Sequence, residues 1–219
     1  MARAPDIVWT VLVGAGRGDR FGALKQYESL GEERVIDRAR RTAERATDGV
    51  VVVVPAADVE RERGVAGGAT RSESVRAGLA SVPPEATIVC IHDAARPLAS
   101  TALFDRVCDA VRDGADGAVP AVPVVDTIKV VDLGGAVTAT LDRSELVAVQ
   151  TPQAFAADTL RRAHIDGAEA SDDAALIERA GGRVVTVPGE PWNRKITDRD
   201  DLEWARRAAA SVDANGPRA

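Results

Sequence analysis

Five consecutive valines, residues 50–54, leave this chain few ways to fold. A strand with one wet face alternates apolar and polar side chains. This run does not alternate, so both of its faces need cover. Residues 87–91, TIVCI, read as another buried strand, and segments with helical propensity lie around the two runs, at 35–46, 72–80 and 100–112. Further apolar runs at 7–13 and 118–124 complete the rhythm. Strands alternating with helices in this way predict an α/β fold, a doubly wound, mostly parallel open sheet with right-handed crossovers.

After residue 123 the rhythm changes. Two β-rich segments, 127–131 and 136–140, are joined by Asp132-Leu133-Gly134-Gly135, a hairpin signal. Two strands alone cannot bury a core, so this arm, about 124–145, needs a surface to lie on: its own domain or a second copy of the chain. Helices are expected again at 156–164 and 172–180, a strand at 183–187 and a last helix at 200–209. The tail from Ser211 is small and polar, with a frayed end expected.

Composition enters where it excludes. A chain of 219 residues that is 45% hydrophobic supports one core, hence one domain over 1–219. A formal net charge of -6 speaks against a nucleic-acid partner, and 3% aromatic content against stacking platforms for single strands. No apolar run is long enough to span a bilayer and no leader pattern is present, so a soluble, cytoplasmic protein without a membrane partner is expected. The two cysteines, Cys90 and Cys108, read as buried reduced thiols. With His92 and His164 the only histidines, histidine-based catalysis has few candidates.

The run at 7–13 meets glycines at 14, 16 and 18, followed by Arg20, Lys25 and Gln26. Glycine lets backbone N–H groups approach a polyphosphate closely, and the cations can reach over its charge. A dinucleotide fingerprint fails in both registers, because Asp19 and Phe21 occupy its third glycine position, and Pro55 stands where a ribose-binding acid is wanted. A Walker A triplet is absent as well. What remains is a loose match to G-x-G-x-x-R over residues 16–20, followed by Lys25-Gln26, which resembles the signature at the head of nucleotidyltransferases; a glycine turn with no ligand is the alternative.

Three further stretches carry chemistry. Residues 67–75, GGATRSESV, put a glycine turn, Arg71 and Ser74 at a helix start, able to hold an anion or simply capped by Thr70 or Ser72. Residues 92–97, HDAARP, follow a buried strand, and in an open α/β sheet ligands gather at strand carboxyl ends. Asp93 there could ligate Mg²⁺, hold a ribose hydroxyl or cap a turn. Lys195 lies in a loop before the last helix, where a solvated surface lysine is the alternative.

Taken in order, residues 14–20, Lys25-Gln26-Tyr27, GGATRSESV, HDAARP, DTIK at 126–129, Asp142-Arg143, TPQ at 151–153 and NRKIT at 193–197 resemble the 2-C-methyl-D-erythritol 4-phosphate cytidylyltransferase family over nearly the whole chain. The resemblance implies a Rossmann-like, nucleotide-diphospho-sugar transferase-like fold and a β-arm that hooks two subunits into a homodimer. It also implies transfer of CMP from CTP to methylerythritol phosphate, with Mg²⁺, in non-mevalonate isoprenoid biosynthesis. By resemblance, Gly14, Ala15, Gly68 and Ser74 would read cytosine, Gly16 would lie against the phosphates, and Arg71 would join the CTP-binding set. Arg20, Lys25 and Lys195 would be catalytic, gathered at the triphosphate, with Asp93 by ribose and metal. Arg96, Thr127, Arg143, Thr151 and Ser171 would hold the acceptor.

The chain departs from the family pattern at Val13 and Gly14, at Leu24, where a proline usually precedes the lysine, and in a short linker at 22–25. Two other readings stay open: a ribitol 5-phosphate cytidylyltransferase, against which Ala94, Ala95 and Asp142 speak, and a non-catalytic nucleotide-binding domain.

Overall fold

The computed structural model describes residues 6–16, 18 and 21–215. In chain order these form β1 (Val8–Val13), a two-residue ribbon of β2 (Ser29–Leu30) and β3 (Glu33–Arg34), α1 (Val35–Ala46) and β4 (Gly49–Val54). Next come α2 (Val59–Glu62), β5 (Val65–Ala66), α3 (Arg71–Leu79), β6 (Ile88–Asp93), α4 (Thr101–Arg112) and β7 (Gly117–Pro123). The arm is β8 (Lys129–Val131) and β9 (Val137–Thr140). After it come β10 (Val147–Val149), β11 (Gln153–Ala156), α5 (Ala157–Ala163), α6 (Ala174–Arg179), β12 (Val184–Pro188) and α7 (Arg199–Asn215).

The eight-stranded sheet runs β10-β7-β11-β6-β1-β4-β5, with β12 also pairing β7. The valine strand β4 lies parallel to β1, which is parallel to β6 on its other side. Both faces are covered, as the unbroken valines require. Val11, Val53 and Ile91 pack with Val75 and Leu79 of α3 and Leu160 of α5. On the opposite face Leu12 and Val52 pack with Ile36 and Ala39 of α1, and Cys90 with Leu103 and Phe104 of α4. Cys90 and Cys108 are free and buried, their sulfurs 3.5 Å apart, in keeping with two reduced thiols.

The structure differs from the sequence reading in three places. β11 is a strand not foreseen, antiparallel to both neighbours and wedged between β6 and β7. Its four residues are too few to show a period, so the stretch before the helix expected at 156–164 carried no strand signal. β10, a strand of three residues, escaped for the same reason. The last helix extends to Asn215 rather than fraying from Ser211. Leu202, Ala205 and Ala209 bury one side of it against Phe21, Leu30 and Ile196, and no helix breaker intervenes before the Gly216-Pro217 pair in the sequence.

The arm stands apart. Among the described residues β8 and β9 pair only with each other, and Val131, Leu133 and Val137 are all exposed. Among the same residues no helix is long and apolar enough to cross a membrane.

Burial of Leu12 between α1 and the sheet is complete. Leu12→Ala is expected to lower the unfolding free energy by about 2–5 kcal/mol in a urea titration, with an unchanged m-value.

Candidate active site

The carboxyl ends of β1 and β6 lie side by side, with Val13 opposite Asp93 in register. From β1 the chain crosses to β4 on one side, and β6 joins on the other, so the ends of β1 and β6 mark the point where strand order reverses. Connecting loops diverge there and leave a crevice. A cleft of about 550 Å³ opens at that point, lined from four separate segments: 13–16, 25–26, 68–74 and 93–95, with Lys195 closing it.

Each wall has a local cause. Gly14 N donates to Val53 O (2.7 Å), which ties the loop after β1 to β4. A side chain on Gly67 would put Cβ 2.3 Å from the Ala15 Cβ, so glycine there lets the two loops meet, and one on Gly68 would sit 2.3 Å from the Glu73 Cβ, so glycine there lets the turn close onto α3. Thr70 caps α3 in a reciprocal capping box with Glu73. Ser74, which lines the cleft, already spends its hydroxyl, accepting from Gly68 N (3.2 Å) and donating to Thr70 O (3.0 Å). Its part here is to shape the turn that presents Gly68.

Asp93 is the electrostatic centre. Its residue is 7% exposed. Lys195 Nζ donates to Oδ2 (2.6 Å), and the Arg71 guanidinium stands 3.5 Å from Oδ1. Burial pushes this carboxyl up, but Lys195 and then Arg71 outweigh it and hold the group well below the usual carboxylate range. Asp93 is therefore a fixed anion between two cations, and Lys195 still carries two further N–H donors toward the cleft.

Lys195 is placed by contacts distant in sequence. Asn193 Nδ2 donates to Thr151 O (2.8 Å) and Gln150 Oε1 (3.3 Å), and Ile196 N donates to Ala95 O (2.8 Å). These bonds bolt the 193–196 loop to residues 150–151 and to the HDAARP turn. Sequence reasoning singled out Lys195 but gave Asn193 and Gln150 no role. An asparagine two residues before a loop lysine is a signal too thin to act on.

His92 sits behind this arrangement, fully buried. Its Nδ1 lies 3.0 Å from the Thr151 hydroxyl, which also accepts from Asp93 N (3.0 Å). Burial lowers the His92 pKa to about 4, with Asp93 opposing that and Arg96 adding to it, so the ring is neutral at pH 7.

The expected site residues divide. Gly14, Ala15, Gly16, Lys25, Gly68, Arg71, Ser74, Asp93 and Lys195 converge on the cleft, joined by Gln26, Thr70 and Ala94, to which sequence reasoning gave no place in the site. Despite Leu24 and the short linker, a 3-10 turn at Lys25–Tyr27 brings Lys25 to the wall. Arg20 lies outside the described residues. Arg96, Thr127, Arg143, Thr151 and Ser171 do not line the cleft. Arg96 reaches Asn193 O (2.7 Å), Thr151 is buried against His92, and Arg143 donates to Val125 O (2.6 Å) at the base of the arm. Thr127 and Ser171 are exposed.

An open, mostly parallel sheet with a glycine-walled, lysine-lined cleft at its switch point is the framework of an α/β nucleotidyltransferase. Residues 8–210 match the family model described as IspD, 2-C-methyl-D-erythritol 4-phosphate cytidylyltransferase. The chain belongs to that family. The 2-C-methyl-D-erythritol 4-phosphate cytidylyltransferase of Rhodococcus jostii (strain RHA1) is 46% identical over 220 residues, 94% of this chain and 96% of the relative. Among solved structures, the 2-C-methyl-D-erythritol 4-phosphate cytidylyltransferase of Thermus thermophilus superposes with a TM-score of 0.78 at 34% identity, covering 91% of this chain and 98% of that one. The 4-diphosphocytidyl-2C-methyl-D-erythritol synthase of Anaerococcus prevotii DSM 20548 gives 0.81 at 26% identity, covering 94% and 99%.

The buried histidine gives a pH signature. A folded pKa of about 4 against 6.5 unfolded means the unfolded chain binds the extra proton first. Stability is then fully present above pH 6.5, and about 3 kcal/mol is lost as pH falls toward 4. Urea titrations from pH 7 to 4 are expected to show this slope, and His92→Gln, which has nothing to titrate there, to flatten it.

Proposed function

We propose that the chain transfers CMP from CTP to 2-C-methyl-D-erythritol 4-phosphate, releasing pyrophosphate and 4-diphosphocytidyl-2-C-methyl-D-erythritol, in non-mevalonate isoprenoid biosynthesis in the cytoplasm. The observation that carries this reading is the convergence of the glycine loops, Lys25, Lys195 and Asp93 on one cleft in a chain of the IspD family.

The chemistry suits the inventory. The acceptor is a phosphate monoester, largely ionised at neutral pH, and needs no general base to become a nucleophile. A site whose nearest histidine is buried and neutral is adequate. Two anions must instead be brought into line against their repulsion, and charge must be neutralised as pyrophosphate leaves. Lys25 and Lys195 face the space where the triphosphate would lie, and Arg20 joins them in this reading. In this reading backbone groups of Gly14, Ala15 and Gly68, which line the cleft, would read the cytosine edge, whose exocyclic amine is a donor that uracil lacks.

Among the described residues no group of three or more histidine, cysteine or acidic side chains could hold a metal ion. Asp93 alone, ionised and at the cleft wall, fits an ion that arrives with the nucleotide, since Mg²⁺ characteristically binds one or two carboxylates, substrate phosphates and water. When bound, Mg²⁺ would offset charge on the triphosphate. Arg71 and Lys195 keep Asp93 aimed and unprotonated. The acceptor's place, in this reading, is beside the cleft, where Arg96, Thr127, Arg143, Thr151 and Ser171 contribute, some of them from a second subunit. The exposed apolar side chains of the arm support a homodimer, because a two-stranded ribbon needs a surface to cover it.

Pyrophosphate release with CTP, UTP, ATP or GTP, each with methylerythritol phosphate and Mg²⁺, tests the reading. Turnover is expected with CTP, and its absence, or a preference for ribitol 5-phosphate as acceptor, overturns the assignment. Lys25→Ala is expected to melt like the parent yet lose about 10²-fold or more in kcat/KM, and EDTA to abolish turnover reversibly. In sedimentation equilibrium the chain is expected to be a dimer, and replacing the arm by a Gly-Ser turn to give a monomer.

A further inference from the structure

Behind the cleft lie two side chains that do not line it. Asp173, 1% exposed, stands at the start of α6, and His164, 5% exposed, just past the end of α5. Arg71 Nη1 donates to Asp173 Oδ2 (2.7 Å), and His164 Nε2 lies 2.9 Å from Asp173 Oδ1. Arg71 then faces Asp93, which holds Lys195. One continuous chain of charged and polar contacts therefore runs from the α5–α6 junction into the cleft, in the order His164, Asp173, Arg71, Asp93, Lys195.

Each link has a physical reason. A carboxylate this deeply buried requires donors on both oxygens, and a carboxylate only accepts, so the His164 ring presents Nε2–H to it. The other ring nitrogen, Nδ1, is buried and has no hydrogen-bond partner among the described residues, so the ring is oriented by its bond to Asp173. The long Arg71 side chain, bonded at one end of its guanidinium to Asp173, can hold only a narrow range of directions, and that range sets its approach to Asp93. The same segment also grips the start of α3 directly: Arg76 donates to Ala168 O (2.8 Å) and Glu169 (3.0 Å), and Thr70 Oγ1 to Glu169 (3.0 Å).

We infer that Asp173, oriented by His164, is a positioning residue for the nucleotide half of the reaction: it fixes Arg71 and through it Asp93, without touching substrate. This rests on the reading that the cleft takes CTP, and CTP-dependent turnover by the parent is measured first. If the parent does not turn over CTP, that reading fails by itself. If it does, Asp173→Asn and His164→Leu are compared with His164→Gln, whose Nε2 amide donates where the ring did.

KM for CTP is expected to rise about tenfold in Asp173→Asn and in His164→Leu, the size of effect found for residues coupled in one charged network. KM for the acceptor stays within about twofold, and His164→Gln returns the CTP value toward the parent. In the Arg71→Ala background Asp173→Asn is expected to add nothing, because its route to the cleft is gone. Unchanged KM for CTP in both variants, equal losses on both substrates that track the melting temperature, or full additivity with Arg71→Ala would each overturn the assignment.

Discussion

The Asp93 carboxylate, at the last residue of β6 and almost sealed from water, is the constraint on which the site turns. A charge in that position is tolerable only if partners are held close, since burial alone would raise its pKa and favour protonation. Lys195 and Arg71 are those partners, and each comes from a different part of the chain, 102 residues downstream and 22 upstream. Holding them in place accounts for much of the surrounding polar structure: Asn193 and Gln150 anchor the loop of Lys195, and Asp173 anchors Arg71.

A site of this kind works by geometry that exists before the substrates arrive. Its cations need no proton transfer, and the histidine behind it is kept neutral by burial. The glycine turns at 14–16 and 67–68 perform the complementary task. At Gly67 a Cβ would collide with Ala15 of the first loop and at Gly68 with Glu73 of α3, so these two glycines serve the packing of the turn as much as any ligand, whereas Gly16 has open space beside it.

The arm follows the opposite logic from the core. Where Val11, Leu12, Val53 and Phe155 vanish completely from water, the tip residue Leu133 and its neighbours stay in it. A ribbon that exposes this much apolar surface is consistent with a second subunit lying against it, and the base of the arm carries Thr127 and Arg143, the residues assigned to the acceptor by family resemblance.

Much of this was legible in the sequence. Unalternated valines point to a strand covered on both faces, glycine punctuation after an apolar run fits a phosphate loop or a plain turn, and HDAARP after a buried strand falls where an open sheet keeps its ligands. These inferences need neighbouring residues alone and give the parallel core and the hairpin, whereas the cleft residues from Gly14 to Lys195 were named through the family resemblance of motifs spread along the chain. Other features depend on which distant segments meet. The reversed strand β11 is four residues long and takes its direction from β6 and β7, not from any pattern of its own. The last helix packs through Leu202, Ala205 and Ala209 on Phe21, Leu30 and Ile196, partners that no local pattern reveals. The pairing of Arg71 with Asp173 across 102 positions was likewise invisible, because a buried charge is satisfied by whatever the fold brings within about 3 Å, and that is decided by packing.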